Sequence, residues 1–85
     1  MDHASCSVSY FWHRILYCLE NRLGGVAVAS WLDKTEAISL ENNQLVLKEC
    51  SAFRREIIAR RALAHIQEVA KEEFNLNIEV VLLEE

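Results

Sequence analysis

The chain contains no proline, and its two glycines stand side by side at Gly24-Gly25. Residues that oblige a backbone to stop or turn are therefore almost absent. Outside the glycine pair, breaks must fall on serine and asparagine, whose side chains compete with helix and sheet for backbone hydrogen bonds. Suitable positions are Ser7, Asn42-Asn43, Ser51 and Asn75. Between these points the hydrophobic period decides what forms.

Stepping about 100° per residue over residues 7–23 gathers Val8, Trp12, Ile15, Leu16, Leu19 and Leu23 on one stripe, with Phe11 and Cys18 on its edge. Ser7 is the expected N-cap of this first helix. Tyr10, Arg14, Tyr17 and Asn21 fall on the opposite side, toward solvent or a partner. Gly24-Gly25 ends the helix, because glycine enters the left-handed C-cap conformation at little cost. A second helix over 26–32 carries Val28, Trp31 and Leu32 and is too short to persist without packing.

The period then changes to two. Ile38 and Leu40 alternate with polar neighbours over 35–41, Leu45 and Leu47 do so over 44–48, and Asn42-Asn43 forms the loop of a hairpin. Ser51 caps a long third helix reaching Phe74, with Ile58, Ala59, Ala62, Ile66, Val69 and Ala70 on its inner stripe. Those alanines imply close approach to a sheet. Asn75 ends the helix, and 77–83 is a β-branched strand. The expected fold class is α+β: a KH-like α-α-β-β-α-β domain with a small three-stranded sheet packed on helices. It occupies residues 1–85 as a single domain with an ordered core at about 7–83, because 85 residues suffice for one core only.

An apolar content of 52% excludes a disordered tail, and a net charge of -4 argues against a dedicated nucleic-acid binder without excluding a local basic face. No run approaches the roughly 18 apolar residues of a membrane span, and the opening Met-Asp-His lacks the basic region of a signal peptide. Cys6, Cys18 and Cys50 are odd in number and unpaired in spacing, which fits buried thiols in a reducing cytoplasm.

Motifs for catalysis are missing. There is no P-loop, and Gly24-Gly25 lacks the further glycine and preceding strand of a dinucleotide site. His3 and Cys6 have no second pair at metal-ligand spacing. His65, at the edge of the inner stripe, reads as a packing histidine, and neither Cys18 nor Cys50 has a recognisable base. Glu36, Glu41, Glu72 and Glu73 read as solvated charge. The expectation is a non-enzyme without cofactor or metal.

Other residues stand out of place. Phe53 and Ile57 lie one turn apart, away from the inner stripe, with Ala64 on their side and Arg60 and Arg61 flanking. An aromatic and a β-branched residue rimmed by arginine form a small interface patch, although Phe53 would equally serve as core beneath the second helix or hairpin. Phe11 and Trp12, with Tyr10 and Tyr17, leave the first helix aromatic around much of its circumference, which suits self-association as well as core. Lys48, Arg54, Arg55, Arg60 and Arg61 form a basic cluster at the entrance to the third helix, diluted by Glu49 and Glu56. It is a candidate phosphate-contact face, but the G-x-x-G clamp of a KH module is missing.

The same layout resembles the N-terminal domain of the bacterial chromosomal replication initiator DnaA. The resemblance spans about residues 9–83. It rests on Phe11-Trp12 in Phe-Trp-His-Arg-Ile-Leu, Trp31-Leu32, the run Asn43, Leu45 and Leu47, Phe53 with Ile57, and Ile78-Glu-Val-Val. Each element is degenerate; their order and spacing carry the likeness. It implies a compact KH-like domain serving as a protein-interaction and self-association module in replication initiation or its regulation. Phe11 and Trp12 match the self-association helix, giving a homodimer. Phe53, followed by Ile57, matches the surface that contacts the replicative helicase or initiation regulators. Weak single-stranded DNA binding is the alternative role. Two positions depart from the pattern: Ala27 replaces an acidic contact residue, and Cys50-Ser51 replaces a Pro-Asn pair. The initiator's ATPase module and origin reader do not fit in this length, so an excised domain or a stand-alone homologue is expected, with neither ATP binding nor origin recognition of its own.

Overall fold

The computed structural model describes residues 3–84, with side chains from Val8 to Glu84. Helix α1 spans His3–Leu23 and α2 Gly25–Leu32; strands β1 (Glu36–Glu41) and β2 (Gln44–Lys48) follow. Next comes one continuous rod: α3 (Ala52–Ile57), a π-helical turn (Ile58–Ala62) and α4 (Leu63–Phe74), then strand β3 (Glu79–Leu83). The α+β class and element order follow the sequence reading. Ser7 is not a cap, however. With no Pro or Gly before it, α1 runs on to His3 and Ser7 lies inside the helix.

Gly24 separates α1 from α2 through its positive φ of 96°, which a side chain would resist. Its N–H still donates to Glu20 O at 2.9 Å and its carbonyl accepts from Val28 N at 3.2 Å, so one residue ends one helix and starts the next. Asn42 and Asn43 have φ of 53° and 61°, which closes the hairpin with both turn residues left-handed. Asn75, at φ 57°, ends α4 with its N–H on Lys71 O, and Leu76 N reaches back to Ala70 O, a Schellman-type stop.

The sheet has the order β1-β2-β3, with β2 antiparallel to β1 and parallel to β3. The rod is the crossover that a parallel partner requires. A bulge between Ala37 and Ser39 resets the phase of β1. Ile38, expected to share the inner face with Leu40, is therefore 48% exposed, while Ala37 and Leu40 pack on the core.

The core joins Val8, Phe11, Trp12, Ile15 and Leu19 of α1, Val28 and Leu32 of α2, Leu45 and Leu47 of β2, and Ile58, Ala62, Ile66, Val69 and Ala70 of the rod. Phe11 stacks on Phe74 with centroids 4.6 Å apart at a 42° tilt. Ala59, placed on the inner stripe by an even helical period, is exposed. The π turn inserts an extra residue between Ile58 and Ala62, so Ala59 rotates off the stripe while its neighbours stay on it.

Candidate protein-docking surfaces

The entrance to α3 is organised by one carboxylate. Glu49 is 2% exposed; its Oε1 accepts from the Thr35 hydroxyl at 2.9 Å and its Oε2 from Ser51 N at 3.1 Å. Arg54 Nη1 lies 3.8 Å from Oε2, and Arg55 donates to the carbonyls of Glu49 at 2.7 Å and Cys50 at 3.1 Å. Ser51 caps the helix by accepting from Arg54 N at 3.2 Å. Sequence reading took Glu49 for a diluting surface charge. Burial among these donors makes it the buried anion that joins the end of β2 to α3, a role no local pattern marks.

The basic cluster is consequently divided. Arg54 and Arg55 are engaged by the α3 entrance, and Arg60 pairs with Glu56 at 3.0 Å. Lys48 alternates to the face of β2 opposite the buried Leu47, away from the helices. Arg61 makes no ion pair among the described residues.

Phe53 is 72% exposed, which settles its place: surface, not core. Together with Ile57, Glu56, Arg60 and Arg61, and with Trp31 from α2, it lines an open groove between α2 and the rod. Periodicity had separated Phe53 and Ile57 from the inner stripe. It had not brought Trp31 to them, because Trp31 read as part of the α2 core set; it is half-buried, with one side on the core cluster and one on the groove.

Phe11 and Trp12 are 4% and 5% exposed. Their side chains are largely taken up by the core, which leaves only an edge of Trp12 on a cleft and too little of either ring exposed to centre a self-association surface. The outward face of α1 carries Tyr10 and Tyr17, 66% and 57% exposed, with the Arg14 guanidinium 5.5 Å from the Tyr17 ring centroid. Arg14 also bonds Glu73 at 3.1 Å, which raises its pKa further. Arg22 bridges Glu68 and Glu72 at 2.7 and 2.6 Å. Glu72 and Glu73, expected as solvated charge, thus tie α4 to α1, each exposed pair contributing little.

Cys18 is half-buried, and burial, then the Glu73 charge, pushes its thiol above the usual range. Cys50 is exposed, contrary to the expectation of buried thiols, because it sits in the turn into α3. The side chains of His3 and Cys6 lie outside the described ones. His65 is half-buried, its Nδ1 3.9 Å from Glu68 Oε1. Among the described residues no three His, Cys, Asp or Glu side chains are grouped to hold a metal, and no helix is long and apolar enough to cross a membrane.

Fold and surface together define a small α+β domain whose features are shallow grooves between helices. Residues 9–72 match the family model described as the DnaA N-terminal domain, and the chain belongs to that family. Membership carries a role in replication initiation, exercised through contacts with other proteins. No curated protein matches the chain.

Proposed function

We propose that the chain is a docking module of replication initiation that holds a replicative helicase or an initiation regulator in the groove of Trp31, Phe53 and Ile57, with Arg60 and Arg61 on its rim. The observation that carries this reading is the 72% exposure of Phe53 beside Trp31. A large apolar ring left in water, next to a second aromatic and flanked by guanidinium groups, has the composition of an interface centre. Self-association belongs to the same reading. It is assigned to the Tyr10, Arg14 and Tyr17 face of α1, since Phe11 and Trp12 are consumed by the core.

The test is titration calorimetry of the domain against purified replicative helicase at low and high salt. Phe53→Ala should weaken binding by about tenfold or more, the loss of a hot-spot aromatic, with little salt dependence. Unchanged affinity in Phe53→Ala would remove the groove from the reading. Single-stranded DNA binding remains the alternative role, and it predicts affinity that falls steeply as salt rises. The engagement of Arg54, Arg55 and Arg60 by neighbours counts against it.

A further inference from the structure

A second cleft lies between α1 and α2, separate from the Phe53 groove. Trp12, Leu16, Val28 and Leu32 supply its apolar wall, Glu20 and Asp33 its acidic groups, and His13 an imidazole at its edge. Its volume of about 270 Å³ is below the roughly 300–1,000 Å³ of a small-molecule site and suits a side chain or two.

Its electrostatics are one-sided. Among the described residues neither Glu20 nor Asp33 makes an ion pair, so both carboxylates at the cleft are free to meet an incoming cation. Asp33 is also the C-cap of α2, and the last turn of α2 holds no basic residue. A helix C-terminus carries partial negative charge and is stabilised by cations. An acid there adds like charge to like charge, and neighbouring Lys34 makes no ion pair with it. The wall below is aliphatic and aromatic, a surface along which a methylene stem packs while its charged head stays at the rim.

We infer that this cleft receives a lysine or arginine side chain from a basic segment of a partner protein, the stem on half-buried Leu16 and the exposed edges of Trp12 and Val28, and the head between Glu20 and Asp33. A bare divalent ion would use neither the apolar wall nor the length of the cleft, and although His13 also lines it, no three His, Cys, Asp or Glu side chains are grouped to hold a metal among the described residues.

The two tryptophans make the test selective, because Trp12 lines this cleft and Trp31 the Phe53 groove. The 15N-labelled domain is titrated with an amidated alanine-rich nonapeptide carrying one central arginine, and with the same peptide carrying neutral citrulline. Saturable shifts of the Trp12 indole N–H and the Val28 and Leu32 amides, with Trp31 unmoved, are expected for the arginine peptide. Citrulline, or the exposed double substitution Glu20→Gln with Asp33→Asn, should weaken binding about tenfold. Equal binding of both peptides overturns the inference, as does a response at Trp31 alone. Two further results also overturn it: shifts at Trp12 that grow with protein concentration alone and vanish in Arg61→Ala, which make a second copy the occupant, and displacement of the peptide by millimolar Mg²⁺ binding the same carboxylates. A failed helicase titration with Phe53→Ala leaves these outcomes untouched, since that groove is read through Trp31.

Discussion

The Thr35 hydroxyl donates to Glu49 Oε1 at 2.9 Å with both residues buried, so the turn after α2 is bonded to the exit of β2. Thr35 N also donates to Leu32 O at 3.1 Å, and Glu49 N to Leu83 O at 2.9 Å. One carboxylate therefore links α2, the sheet and the start of α3, the elements that frame the Phe53 groove. Thr35→Val keeps the shape and removes the donor, leaving a buried charged oxygen short of a partner. The expected loss is about 1–3 kcal/mol in urea unfolding. A loss below about 0.5 kcal/mol, the range of ordinary surface changes, would mean that water replaces the hydroxyl.

Phe11 and Phe53 are the same residue type with opposite burial, 4% against 72% exposed. Phe11→Ala should cost about 3–5 kcal/mol, and Trp12→Ala a similar amount, as buried aromatic truncations do. Phe53→Ala should stay within about 0.5 kcal/mol of the parent. Thermal unfolding of the three variants separates core from surface directly; equal losses would contradict the assignment.

Asn75 holds φ 57° at the end of α4. Glycine takes this conformation freely, and a β-branched residue resists it by roughly 1–2 kcal/mol. Asn75→Gly should be neutral or slightly stabilising, Asn75→Val destabilising by about that amount, measured as the difference in urea midpoint between the two.

Burial raises the Cys18 thiol pKa, Glu73 raises it further, and Arg14 partly offsets both. A raised folded-state value keeps the thiol protonated in the fold after the unfolded chain has begun to ionise. Its contribution to stability is then complete below the unfolded-state pKa, near 9.0, and is lost as pH rises through the higher folded value. Iodoacetamide labelling mapped by mass spectrometry at pH 8 should find Cys18 slow, and Glu73→Gln should speed it by removing an anion that opposes the thiolate. No acceleration would leave burial as the sole cause.

Much of this architecture is legible in local pattern. The α1 stripe, the hairpin with its Asn42-Asn43 turn, the Ser51 cap and the Asn75 stop each depend on residues within a few positions of one another. The separation of Phe53 and Ile57 from the inner stripe was legible too, because it is a matter of helical angle. Ile38 and Ala59 were misplaced for a shared reason: a bulge in β1 and a π turn in the rod each add a residue, and an even period has no means of showing an insertion.

By itself, then, the sequence determined the order of elements and most of the faces they bury, since those follow from spacing, capping and turn chemistry along the chain. Only the tertiary structure decided that Glu49 is a buried anchor, that Phe11 and Trp12 are core, that Trp31 stands beside Phe53, and that Glu20 and Asp33 share a cleft. Burial and pairing of charge depend on what the chain brings back from far along its length. Thr35 and Glu49 are 14 residues apart, and Arg14 and Glu73 are 59 apart. No period or local motif reaches across that separation.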